Sequence, residues 1–358
     1  MSAKRNIVYL YSEVMPYTIA VMKAIVANFD VEIHCVCWDE NKRTPFVPEN
    51  SEGVFFYKRS SFDKRKLHEF IDDKSPAFIY VSGRMDKLYL QTALYYKQKG
   101  VLTVTGCDNQ WRGSVKNKIA SWLAYFLYRR YFTYIWVAGT PQYEFARRMG
   151  YAPKNILKHT YSADTNNFEK VFRDYRETKA IAYPHTLVFV GRFIKIKGIE
   201  LLIEAFTELK AEQGTDWKLC LVGNGELNAN LTNMNDIEVR QFMSTEELAR
   251  SSKDWGCFCL PSTREPWGVV VHEFAAAGLP IIAADCVGAT DAFLIDGYNG
   301  YSFTTSEKQS LKEALSALFA LSDDELRVLS NRSNQLSHTI TPIKSAYSLM
   351  GIMNHTTL

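Results

Sequence analysis

The 358-residue sequence has no apolar run able to cross a bilayer. Its longest apolar and aromatic stretch, SWLAYFLYRRYFTYIWVAG at 121–139, is cut in the middle by Arg129 and Arg130, and central arginines are costly in hydrocarbon. The start, MSAKRNIVYLYSEVM, has only a short apolar run before Ser12 and Glu13, so neither a signal peptide nor an anchor is expected and a cytoplasmic location is. Seven cysteines at 35, 37, 107, 220, 257, 259 and 286 are odd in number and lack paired metal-ligand spacing. Reduced, packed thiols are the expectation. The seven histidines are dispersed and no Asp-X-Asp occurs, so no metal site is expected. There is no phosphate loop ending in Gly-Lys-Ser/Thr, which speaks against an ATPase, and no three-glycine dinucleotide fingerprint.

What remains is an ordinary globular composition, with 47% apolar, 13% aromatic and 23% charged residues. The length suits two domains better than one core. Net charge is only +3, but it is unevenly spread. Between 111 and 160 stand Arg112, Lys116, Lys118, Arg129, Arg130, Arg147, Arg148, Lys154 and Lys158 against one acid, Glu144.

The first half alternates β-branched runs (NIVYLY, VEIHCVCW, VFFYKR, AFIYVSG, VLTVTG, YIWVAG) with longer amphipathic stretches. That alternation predicts parallel strands with crossover helices in a doubly wound α/β domain. Residues 168–184 are charged and lack a strand period, which suits an interdomain connection. The pattern then restarts with HTLVFVG, WKLCLVGNG, IEVRQF, CFCLPS and LPIIAAD. The expected organisation is an N-terminal Rossmann-like domain over 1–170, a linker at 171–185, a second such domain over 186–340, and a C-terminal helix at 341–358 that returns toward the first.

Parallel α/β sheets bind ligands at the carboxyl ends of their strands, beside helix starts. Three loops of the second half fall there. GRFIKIKG (191–198) offers Gly191 for a tight turn, with Arg192 and Lys197 for an anionic diphosphate, or as solvated surface cations. VGNGE (222–226), with Asn224 between two glycines, is a weak signal that a plain turn explains as well. EPWGVVVHE (265–273) puts Glu265 on a loop and Glu273 in the second turn of a helix starting near Gly268, with the amides of Trp267, Gly268 and Val269 open at the helix start. Two carboxylates so placed can accept from the hydroxyls of a ligand whose anionic centre rests on the helix end. The plain alternative is a glutamate favoured by the helix dipole and a second one on the helix surface.

The segments GRFIKIKG, LVGNGEL, FMSTEEL, LPSTREPWGVVVHEFAAAGLPIIA and DGYNGYSF, in that order over about 186–303, resemble the retaining glycosyltransferases of family four. The first half matches loosely, through YSADTNNF at 161–168. The resemblance implies the GT-B fold, α/β with two Rossmann-like doubly wound domains facing across a cleft. It implies transfer of a sugar from a nucleoside diphosphate sugar, UDP-sugar favoured over GDP-sugar, to an acceptor hydroxyl, with no metal and no cofactor. On its motifs, Arg192 and Lys197 hold the diphosphate beside Gly191 and Asn224. Glu265 contacts the transferred sugar, the amides after it help hold sugar and phosphate, Glu273 accepts from the ribose, and Phe242 and Met243 lie by the base. His272, between these roles, reads as a packing residue.

The sequence also departs from the family. SEVMPYT stands where glycines usually flank the donor phosphates, and Asp108 in VLTVTGCDNQW stands where a histidine is usual. Asp108 is either a catalytic group that takes a proton from the acceptor or binds a sugar, or a strand-end cap. Ser82, Gly83 and Arg84 face the same edge, and Asp291, where glutamate is common, reads as structural. The basic stretch, interleaved with Trp111, Trp122, Tyr125, Phe126, Tyr128, Tyr131 and Phe132, predicts peripheral attachment to an anionic membrane surface and a glycan or lipid-linked acceptor in surface polysaccharide or glycolipid assembly. The competing reading packs those aromatics inside the first domain and gives the arginines a soluble anionic acceptor. No nucleic-acid module is recognisable. A nucleotide-sugar epimerase of similar fold and a non-catalytic sugar-binding or scaffold protein remain alternatives.

Overall fold

The computed structural model describes residues 4–41, 46–228 and 236–356, with two compact units: Met1–Ala163 with Ile340–Leu358, and Asp164–Thr339.

The first unit holds strands β1 (Arg5–Tyr11), β2 (Val31–Cys37), β3 (Val54–Lys58), β4 (Phe78–Val81), β5 (Leu102–Cys107), β6 (Tyr134–Val137) and β7 (Ile156–Leu157). They form one sheet in the order β3-β2-β1-β4-β5-β6-β7, every pair parallel. The near-continuous apolar runs follow from cover on both faces. Because side chains alternate along a strand, β1 sends Ile7, Tyr9 and Tyr11 into one core and Val8 and Leu10 into the other. The helix Pro16–Asn28 and the C-terminal helix Pro342–Met350 close the first core. The helices Lys64–Lys74, Lys87–Gln98 and Val115–Tyr131 close the second. Phe29 and Tyr347 meet edge to face at 4.9 Å, so the end of the chain packs on the first unit.

The second unit holds β8 (Thr186–Val190), β9 (Lys218–Val222), β10 (Ile237–Arg240), β11 (Cys257–Leu260), β12 (Ile281–Ala284) and β13 (Gly300–Phe303). Their order is β10-β9-β8-β11-β12-β13, again all parallel. The segment expected as a linker, 171–185, is not one for most of its length. It is largely the helix Asn166–Ile181, packed within the second unit. Phe168 meets Phe274 at 5.8 Å, and the buried Lys179 amine donates to the carbonyls of Ser252 (3.3 Å) and Trp255 (2.8 Å). Phe168, Val171, Phe172 and Tyr175 form a helical stripe that the surrounding charges diluted in the sequence. All seven cysteines are buried and unbridged.

Candidate functional site

The strand order of the second sheet reverses between β8 and β11, and open α/β sheets bind ligands at the carboxyl ends of such strands. The loops leaving these two strands are GRFIKIKG and PSTREPWG.

Glycine lets them touch. Gly198 ends the tight turn Lys195–Lys197 at φ +70°, and a Cβ there would lie 2.0 Å from the Pro261 carbonyl oxygen. The amide of Thr263 donates to the Ile196 carbonyl at 2.9 Å, lacing the two loops together. The third loop joins them through Gly223, at φ +154°, where a Cβ would lie 1.9 Å from the Gly191 carbonyl oxygen. Gly191 donates to Val222 O (3.1 Å) and Phe193 to Asn224 O (2.8 Å). Alone the VGNGE turn is a weak signal; in the fold it is locked against the basic loop. The side-chain oxygen of Asn224 accepts from the Gly225 amide at 2.8 Å and from the Asn228 amide group, so it shapes the turn itself.

On this base Lys197 Nζ donates to Glu265 Oε2, with the two side chains only 15% and 13% exposed. Ser262 Oγ donates to the same carboxylate oxygen at 3.3 Å. The Glu265 backbone bridges to Val287, and its carbonyl accepts from Gly288 at 3.1 Å. The carboxylate is thus fixed from both sides. Arg192 is exposed on the same loop. Trp267 is buried, its carbonyl accepting from Ala289 at 2.9 Å. Gly268, at φ +94°, caps the helix Val269–Ala276, so the amides of Trp267, Gly268 and Val269 lie at its positive end.

Glu273 lies one turn into that helix and is partly buried. Burial, with the Asp164 carboxylate adding to it, pushes its carboxyl up to about 7. The next residue back points elsewhere. His272 is buried, its Nε2 2.9 Å from the Ser337 carbonyl and its ring stacked 4.2 Å from Phe293, and burial pushes it down to about 4. It is a neutral packing residue. Phe242, 52% exposed, and Met243, whose sulfur accepts from Ser251 Oγ at 3.9 Å, follow the carboxyl end of β10. Asp291 is exposed on the short helix Thr290–Phe293.

In the first unit the reversal falls between β1 and β4. There the Ser12 amide donates to Ser82 Oγ at 2.9 Å, and Arg84 stacks over Tyr128 at 4.7 Å. Asp108 follows β5; its carbonyl accepts from Gln142 Nε2 at 3.5 Å, and its charge reaches Tyr11 and Tyr161, adding to the burial that raises both phenols. Gly191, Lys197, Asn224, Glu265 and Gly268 therefore share one laced junction in the second unit, with Arg192, Phe242, Met243, Trp267, Val269 and Glu273 on the same sheet edge or helix. Asp108 belongs to the first unit. The sequence reading gave no role to Ser262, Thr263 or Asp164, and only position ahead of Glu265 could have singled out the first two.

Residues 172–335 match the family model of glycosyl transferases group 1. An uncharacterized glycosyltransferase of Methanocaldococcus jannaschii is 31% identical over 146 residues, 39% of either chain. The N,N'-diacetylbacillosaminyl-diphospho-undecaprenol alpha-1,3-N-acetylgalactosaminyltransferase of Campylobacter jejuni is 28% identical over 145 residues, 40% of this chain and 37% of that one. The alignments thus span about two fifths of the length of these relatives. Among solved structures, Anabaena HepE in complex with UDP and glucose superposes with a TM-score of 0.70 over 98% of this chain and 100% of that one, at 13% identity. Residues 172–335 are thus similar to the group 1 glycosyltransferases, and the chain's two parallel sheets have the GT-B fold.

Proposed function

We propose that the chain is a retaining, hexosyltransferase-type glycosyltransferase acting on a nucleoside diphosphate sugar, UDP-sugar before GDP-sugar, in surface polysaccharide or glycolipid assembly. The observation that carries this reading is the glycine-laced junction where a shielded Lys197–Glu265 pair lies beside the start of the helix Val269–Ala276. An arriving diphosphate offers Lys197 a second anionic partner. As Lys197 turns to it, the Glu265 carboxylate becomes available to sugar hydroxyls. When the bond from the anomeric carbon to the diphosphate oxygen breaks, charge develops on phosphate, and Arg192, Lys197 and the amides of Trp267, Gly268 and Val269 stabilise it from fixed positions. Glu273 accepts from the ribose, and Phe242 and Met243 flank the base. The acceptor oxygen bonds to the anomeric carbon and its proton passes to Asp108. In this reading the protein's own cations replace a metal, and no cofactor takes part.

The UDP in the HepE complex favours a uridine nucleotide, and the diphospho-undecaprenol in the name of the Campylobacter relative favours a lipid-linked glycan acceptor. No helix among the described residues is long and apolar enough to cross a membrane. The reading places the chain in the cytoplasm, peripheral on the inner face of the membrane through the basic, aromatic stretch 111–160. The test is calorimetric titration with UDP, GDP and NAD, with and without a chelator. Micromolar binding of one nucleoside diphosphate, unaffected by chelator, is expected. Binding of NAD alone, or of nothing, would overturn the reading; turnover of the donor to free nucleotide without acceptor would move it to an epimerase. Retention is read from the anomeric configuration of the product by NMR.

A further inference from the structure

The helix Val115–Tyr131 has two apolar faces. Ser121, Ala124 and Tyr128 are each 6% exposed and turn into the first unit's second core, followed by the buried Phe132. On the other side Ile119, Trp122, Leu123, Phe126 and Leu127 are 55, 63, 49, 59 and 44% exposed. Their positions run i, i+3, i+4, i+7, i+8, which is one stripe of an α-helix. Trp122 and Phe126 meet edge to face at 5.7 Å along it. No other described helix exposes five large apolar side chains. The aromatics read from the sequence as one patch are therefore divided: Tyr128 and Phe132 pack inside, and Arg148 stacks on Trp111 at 4.0 Å. Trp122, Tyr125 and Phe126 stay outside.

The charge around the stripe is of one sign. No acid occurs between Asp108 and Glu144, while Arg112, Lys118, Arg129 and Arg130 are exposed. The Lys116 side chain lies outside the described residues. Arg129 lies over the Tyr125 ring at 5.0 Å and Arg130 over Tyr131 at 5.8 Å, which keeps their stems on the aromatic flank and their heads at its rim. The Lys97 amine holds the helix end through the Phe132 carbonyl at 3.1 Å.

We propose that this helix lies flat on an anionic lipid surface, with the Ile119, Trp122, Leu123, Phe126 and Leu127 stripe entering the boundary between headgroups and acyl chains. The arginines and Lys118 then meet the headgroups. An apolar stripe rimmed by cations is the pattern of an interfacial helix. A second copy of the chain is the poorer occupant, because a two-fold contact through this stripe would set Lys118, Arg129 and Arg130 near their own images. The inference deepens the membrane part of the proposed function and depends on it only for the purpose of the contact. The helix leaves the sheet edge just after Asp108, so the lipid surface would begin beside the group proposed to meet the acceptor.

The test is sedimentation of the full chain with phosphatidylcholine vesicles, with and without phosphatidylglycerol, at low and at half-molar salt. Binding to the anionic vesicles alone, weakened by salt, is expected. The pair Trp122→Ser with Phe126→Ser, and separately Arg129→Glu with Arg130→Glu, should each weaken it about tenfold or more. Circular dichroism and UDP titration of the same variants report whether they fold and keep their donor site. No binding to anionic vesicles at low salt, or equal binding by the serine pair, would overturn the proposal. So would a concentration-dependent dimer without lipid that Phe126→Ser abolishes, which would give the stripe to a second copy. Vesicle binding by a chain that binds no nucleotide would sink the transferase reading and leave this one standing.

Discussion

Both sheets reverse their strand order beside a central strand, β1 in one unit and β8 in the other, yet the loops at the two reversals are made of different material. At β8 and β11 glycines bring backbone against backbone: Gly198 and Gly223 leave no room for side chains, and a lysine–glutamate pair sits on the loops they join. At β1 and β4 the loop Ser12–Tyr17 has no glycine. Serines close the junction there, and the strand ends beneath are filled by Tyr9, Tyr11 and Tyr80, with rings 4.7 and 5.8 Å apart. The topology is shared, but only the second unit's reversal locks loop backbone on loop backbone around a shielded lysine; at the first, Gly83 has open space around it and Arg84 stacks on Tyr128. A binding edge thus comes from topology, while its chemistry comes from which residues the loops can tolerate.

The comparison breaks most sharply at Lys197. Lys197→Ala should lower kcat/KM for the nucleotide sugar by about 10²–10³-fold, whereas Ser82→Ala, at the first unit's reversal, should leave UDP affinity unchanged. Calorimetry and initial rates on the two variants decide it; equal effects would mean that the first unit's edge also holds the donor.

Next in size is the glycine lacing. Gly223→Ala should destabilise the chain by roughly 3 kcal/mol or more, since its Cβ would meet a carbonyl that cannot leave without breaking the loop. Gly214→Ala, at φ +62° with open space around it, should cost only about 1 kcal/mol. Urea unfolding curves give both values.

His272→Ala should cost roughly 2–3 kcal/mol through the lost ring contact and hydrogen bond, with UDP affinity unchanged. A parallel loss of affinity would return His272 to the ligand side.

The smallest expected effect concerns Glu273. Its folded pKa, about 7, is above the ordinary glutamate value of 4.5, so the folded state holds the proton more tightly than the unfolded one. Its contribution to stability is full below pH 4.5 and is lost as pH rises toward 7 and beyond. Glu273→Gln should therefore raise the Tm relative to the parent at pH 8 and change it little near pH 4. Nucleotide affinity should rise with pH through about 7 in the parent and be flat in the variant, because only the carboxylate is a full acceptor for ribose hydroxyls. A pH-independent Tm difference would remove the buried-carboxyl account.

Much of this was legible in the chain. The β-branched runs and the amphipathic stretches between them marked the strands and helices of both units, and the spacing of Gly191, Arg192, Lys197, Glu265, Gly268 and Glu273 marked the loops that the fold brings to one edge. The helix Asn166–Ile181 was not legible, because Phe168, Val171 and Phe172 among many charges carry little signal until the second unit supplies the surface they pack against. Nor was the partner of Lys197. The sequence places the two residues 68 positions apart and suggests a separate ligand contact for each, and only the crossing of the β8 and β11 loops makes them neighbours.

By itself the sequence determined the α/β class, the two-part organisation and the family its second half resembles, because periodicity and short-range spacing are local properties of the chain. The tertiary structure alone decided which cation meets which carboxylate, how a weak glycine turn becomes part of the junction, and which face of the basic aromatic helix is left exposed. Those depend on contacts between residues far apart in sequence, on the burial they share, and on the charges that burial brings together.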